Sequence, residues 1–168
     1  MRENPLTAFD HPRYYRAVHV ENANKSPKGD LRARRYPPNK HMMMEELREH
    51  VQNHSRSWNR ISTPFVSITP DPLRAFNRAA DLVFEGTSEV AIVVIDAWKL
   101  NNTIPSNCLR LRLGLLVNHL FDTEILVWGE IPNEAILGYW TRDRMDTAGL
   151  FELFPSLRST ESKRRLMT

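Results

Sequence analysis

A chain of 168 residues is long enough for one domain with a single apolar core, and its composition, 41% hydrophobic and 26% charged, is that of an ordinary globular protein. With 23 Lys and Arg against 20 Asp and Glu, the net charge of +3 is too small to argue for nucleic acid by itself. The single cysteine, Cys108, excludes an intrachain disulfide and suits a reducing compartment.

Residues 1 to 12 read as a loose lead-in without a signal-peptide core, and no segment reaches the length of a membrane span. The chain therefore reads as cytoplasmic or nuclear, although a secreted effector whose signal had been removed would look the same. Tyr14 to Val20 has strand composition. Its alternation places Tyr14, Arg16 and Val18 on one face, and Tyr15, Ala17 and His19 on the other. Residues 21 to 40 are polar and carry Pro27, Gly29, Pro37 and Pro38, the signature of a long loop. Lys25, Lys28, Arg32, Arg34 and Arg35 cluster there, and Lys163, Arg164 and Arg165 cluster near the end. These read first as solvated charge; the sharper alternative is a patch for a phosphate-bearing ligand or an acidic partner. Only Tyr36 accompanies the first cluster, which leaves little for stacking on bases.

Met42 to His54 predicts a helix with Met43, Leu47, Val51 and His54 on one stripe. Thr63 to Thr69 predicts a strand. Asp71-Pro72 then predicts a helix start, with Asp as cap and Pro at the first helical position, and with Leu73, Phe76, Ala80 and Val83 facing inward. Glu89 to Asp96 is a nearly continuous apolar run, which implies a strand buried on both faces. Leucines at 109, 113, 116 and 120 predict a helix over 109–121. Glu124 to Ile131 predicts a strand, and Ala135 to Thr141 another. Leu150, Phe151, Leu153 and Phe154 suggest a short packing helix before a disordered tail over 156–168. The expected fold class is α+β in one domain, residues 1–168.

Glycine-rich phosphate loops, CxxC, HExxH and GxSxG motifs are absent. His50 and His54 are spaced i, i+4, but His54 continues an apolar stripe and no third ligand is near, so no metal is expected. The polar residues that stand out are Arg16 in Tyr-Tyr-Arg-Ala-Val-His, Ser67 in Phe-Val-Ser-Ile-Thr, and Glu130 in Val-Trp-Gly-Glu-Ile-Pro. Each interrupts or ends an apolar strand, which is costly unless the group is satisfied or used.

This set, in this order, resembles the Arg–Ser–Glu type of the ADP-ribosyltransferase superfamily. The likeness extends through the alanine-bearing helix with Ala75, Ala79 and Ala80, the strand Val90 to Asp96, Ile131-Pro132 and Ile136. It covers roughly residues 14 to 141. His54-Ser-Arg-Ser-Trp58 is similar to fungal members that carry a His and a Trp before the serine strand. The resemblance implies a split mixed or antiparallel β-sheet core with flanking helices, and NAD as substrate. It implies Arg16 on the phosphates of NAD, Ser67 lining the nicotinamide site, and Glu130 as the carboxylate that steadies the oxocarbenium ion as nicotinamide leaves. Thr69 can hydrogen-bond the ribose; Tyr15, Phe65 and Trp128 can stack on nicotinamide; His54 lines the same place. Members that modify protein side chains carry Gln or Glu two residues before the catalytic Glu. Counted from Glu130, that position is Trp128, which moves the expected acceptor towards water or an unusual nucleophile. The reading is an NAD-consuming ADP-ribosyltransferase or NAD glycohydrolase with an unknown acceptor. The alternative is an inactive member of the same fold that binds a protein or another ligand.

Overall fold

The computed structural model describes residues 12–20, 25, 29–34, 42–54, 62–87 and 89–149. The expectations for the lead-in before residue 12, for Trp58 and for the tail lie outside the described residues. In chain order the strands are β1 (Arg13–His19), β2 (Leu31–Arg32), β3 (Phe65–Ile68), β4 (Val90–Asp96), β5 (Thr103–Pro105), β6 (Ile125–Trp128), β7 (Glu130–Ile131) and β8 (Ile136–Thr141). The α-helices are α1 (Met44–His54), α2 (Pro72–Phe84), α3 (Ser106–Arg112) and α4 (Arg142–Thr147).

Among the described residues all strand pairs are antiparallel, and they form two three-stranded sheets, β1-β4-β8 and β3-β6-β5, with β2 and β7 paired separately. The apolar run of β4 explains the layering. Ala91, Val93 and Ile95 face Val18, Val66, Ile68, Val127 and Ile131, so one core lies between the two sheets. Val90 and Ile92 face the other way, against Ala75, Phe76 and Ala79 of α2. A strand so placed needs apolar residues at every position. Burial of a side chain such as Ile92 or Ile95 contributes about 1.5–3 kcal/mol. The outer face of the second sheet is covered by α1 and α3, with Val51 and Leu109 against Phe65 and Leu126.

Asp71 caps α2 as expected: its carboxylate accepts the Leu73 N–H at 2.9 Å, and Pro72 opens the helix. The expected helix over 109–121 is shorter and earlier. It ends at Arg112 because Gly114 adopts φ 64°. The Leu115 N–H then reaches the Arg110 carbonyl at 2.8 Å and the Gly114 N–H the Leu111 carbonyl at 3.1 Å, a Schellman closure. Leu115 turns inward in consequence, while Leu116 and Leu120 are exposed. The expected strand over 124–131 is broken by Gly129 at φ 80°, so its two halves join different sheets. Within the expected loop over 21–40, β2 pairs with the second half.

Among the described residues, one backbone bridge joins the two main sheets. Tyr15 and Thr69 exchange backbone hydrogen bonds of 2.8 and 3.0 Å. Beyond that bridge, β1 and β3 diverge into separate sheets, and Arg16 and Ser67 lie next to the junction.

Candidate active site

Alternation along β1 holds: Tyr14 and Val18 pack between the sheets, while Tyr15 and Ala17 face α2. Arg16 shares the inner face, and its Nη1 donates to the Ser67 carbonyl at 2.5 Å. Burial lowers its pKa to about 10, assisted by the positive charges of Arg34 and Arg78 and opposed by Glu124. The guanidinium is still charged at neutral pH. Arg34 has no ion pair with a carboxylate among the described residues. Two guanidinium groups and one balancing carboxylate make a site of net positive charge, suited to a diphosphate.

The side chain of Ser67 points to the other face of β3, towards α1. Its hydroxyl donates to Oε1 of Glu124 in a short contact. The register explains this. Antiparallel pairing sets Ser67 opposite Leu126 and Ile68 opposite Ile125. Glu124 is therefore level with the C-terminal end of β3, on the face that Ser67 and Leu126 share. The second oxygen of Glu124, Oε2, is buried and has no hydrogen-bond partner among the described residues. A buried carboxylate oxygen left open is costly in an empty site and becomes useful when a ligand hydroxyl or a developing positive charge meets it.

His54, the last residue of α1, completes the group. Its Nε2 is 3.3 Å from Ser67 Oγ and its Nδ1 is 2.6 Å from Thr63 Oγ1. Burial holds its pKa below the usual histidine value, against the pull of Glu124 and with the support of Arg16 and Arg34.

Of the residues singled out from the sequence, the structure thus brings Arg16, Ser67 and His54 together. Glu130 stands elsewhere. Gly129 turns the chain before it, and its carboxylate pairs with Arg32 Nε at 3.2 Å across β2 and β7. The carboxylate beside Ser67 belongs to Glu124. Tyr15 contributes its backbone to the junction, but its ring lies on the α2 side, 5.5 Å from that of Trp140. Phe65 and Trp128 are edge-to-face at 5.4 Å, and Phe65 is edge-on to His54 at 5.7 Å. They form a wall behind the imidazole. Thr69 is on the same strand face as Ser67, and its hydroxyl accepts the Asp71 N–H at 3.1 Å.

Counted from Glu124, the position two residues earlier is Asp122. It is exposed, and its carboxylate accepts from Asn107 Nδ2 at 2.7 Å. No group of three or more His, Cys, Asp or Glu residues is placed to hold a metal ion among the described residues. No helix among them is long and apolar enough to cross a membrane.

The solved structure EcPltA, an ADP-ribosyltransferase toxin subunit, is similar with a TM-score of 0.52 and 16% identity, over 79% of this chain and 76% of that one. At that identity the likeness shows the fold, which is ADP-ribosyltransferase-like α+β. No curated protein matches the sequence. Residues 10–145 match the family described as Domain of unknown function (DUF7587), and the chain belongs to that family.

Proposed function

We propose that the chain is an NAD-consuming enzyme of ADP-ribosyltransferase type, which cleaves the nicotinamide–ribose bond and passes the ribose to a nucleophile. The observation that carries the reading is the contact of the Ser67 hydroxyl with Glu124, beside a partly buried Arg16 that donates to the carbonyl of the same serine. In this reading Arg16, with Arg34 nearby in charge, grips the two phosphates of the dinucleotide. Ser67 holds one oxygen of Glu124 in place. The other oxygen, buried and unpaired in the protein alone, meets the positive charge that grows on the ribose as nicotinamide departs. A fixed carboxylate there acts without rearranging at the moment of reaction. That is the condition under which electrostatic stabilisation is strong.

With Glu124 as the carboxylate, the expected acceptor also changes. Trp128 no longer occupies the place where a proton-accepting residue is expected; Asp122 does, with a carboxylate able to take a proton from an attacking nucleophile. Transfer to a side-chain acceptor, to a small molecule and to water are then all open to the same chemistry. The test is incubation of the purified protein with NAD while free nicotinamide is followed by chromatography. Time-dependent release supports the reading. No release over the rate in buffer, at protein concentrations approaching that of NAD, contradicts it.

A further inference from the structure

Thr63 lies just before β3 and is 5% exposed. Its hydroxyl is 2.6 Å from His54 Nδ1. We propose that Thr63 sets the tautomer of His54 and, through it, aims the Ser67 hydroxyl at Glu124. It is thus a positioning residue, three hydrogen bonds removed from the Glu124 carboxylate.

The assignment follows from counting protons. A serine hydroxyl has one hydrogen to give. In the structure that hydrogen goes to Oε1 of Glu124. Ser67 Oγ can therefore only accept from His54 Nε2, 3.3 Å away, so Nε2 carries a proton. In a neutral ring Nδ1 is then a bare lone pair and must accept from Thr63, which has one hydroxyl hydrogen to offer. Every donor in the row Thr63, His54, Ser67, Glu124 points the same way. Reversing any one of them places two lone pairs or two protons face to face. Burial favours the neutral ring, as does the charge of Arg16 and Arg34, while Glu124 opposes it. Among the described residues the imidazole also packs edge-to-face with Phe65, which neither donates nor accepts.

With valine at position 63 the shape is nearly kept and the donor is lost. Nothing then favours the Nε2–H form at the Nδ1 end. In the other tautomer His54 Nε2 would draw the serine hydrogen away from Glu124. The effect on turnover rests on NAD cleavage at this site; the tautomer does not.

The experiment is long-range ¹H–¹⁵N correlation of the histidine side chains in the full-length protein, with His54 identified by loss of its signals in His54→Gln. Wild type should show Nδ1 at the shift of an unprotonated imine nitrogen and Nε2 at that of a protonated one. Thr63→Val should give averaged or doubled signals, and kcat for NAD should fall about tenfold with KM unchanged. Thr63→Ser should restore both. An imidazolium or an Nδ1–H form in the wild type would overturn the proposal. So would a Thr63→Val spectrum that keeps the single Nε2–H form. A wild type silent towards NAD would count against the enzymatic reading alone, because the spectrum still decides the role of Thr63.

Discussion

Replacing Arg16 by methionine should leave the protein as stable as before or slightly more so, while NAD binding collapses. The structure gives the reason. Arg16 is held between two sheets, near Arg34 and Arg78, with Glu124 as the attractive charge acting on it among the described residues. Its pKa is lowered to about 10, so the charged form is disfavoured in the fold. That lowering corresponds to at most about 3.4 kcal/mol, to be discounted because the side chain is only partly removed from water. Against that stands the Ser67 carbonyl, which loses its donor at about 1–3 kcal/mol. The two nearly cancel. The guanidinium is charged in both folded and unfolded chains below about pH 10, so the full cost is present at neutral pH and is relieved only as pH rises above about 10. Thermal unfolding of Arg16→Met at pH 7 should therefore fall within a few degrees of wild type, at about 2–4 °C per kcal/mol for this size. Affinity for NAD, read by calorimetry, should drop roughly ten- to a hundredfold, as expected for a lost charge-assisted contact to phosphate. A large loss of thermal stability with unchanged affinity would refute the reasoning and make Arg16 a structural residue.

Other outcomes follow from the same geometry. Ser67→Ala removes the donor to Glu124 Oε1 and should lower kcat by roughly ten- to a hundredfold, the worth of a hydrogen bond to a charged group; an unchanged kcat in steady-state kinetics would remove the serine from the mechanism. His54 has a folded pKa below its unfolded value, so the unfolded chain takes up a proton that the fold refuses. Stability is therefore full above about pH 6.5 and declines as pH falls below it, and the melting temperature of His54→Gln should decline less over that range. Asp71→Ala should cost about 1 kcal/mol through loss of the α2 cap, seen as a lower denaturant midpoint with unchanged slope.

The parts of the fold that rest on local pattern were legible. The uninterrupted run of β4 announced burial on both faces, and Asp71-Pro72 announced a capped helix. The alternation along β1 put Arg16 and Tyr15 on opposite faces, as found. The end of α3 was obscured because leucines continue at helical spacing past Gly114, and nothing in that spacing says that the glycine takes positive φ. The carboxylate that meets Ser67 is not legible for a different reason. Both ends of Ile125 to Trp128 carry a glutamate, and the strand itself does not say which end meets Ser67. The missing information is the pairing direction: an antiparallel partner brings the C-terminal end of β3 to the N-terminal end of β6, and so to Glu124. With that one fact the sequence would have pointed there, and to Asp122 two residues earlier. Thr63 carried no signal at all, since its role depends on a histidine delivered by a helix from the far side of the sheet.

The measurement that bears most directly on the account is nicotinamide release from NAD by wild type, Glu124→Gln and Glu130→Gln, side by side. The amide keeps the volume of either side chain, so folding should survive in both, as circular dichroism would verify. Glu124→Gln removes the charge beside Ser67 and should lose at least about a hundredfold in kcat. Glu130→Gln touches an exposed pair with Arg32, worth at most about 1 kcal/mol of stability, and should turn over NAD at nearly the wild-type rate. The reverse pattern, with Glu130→Gln inactive and Glu124→Gln active, would contradict the site as described.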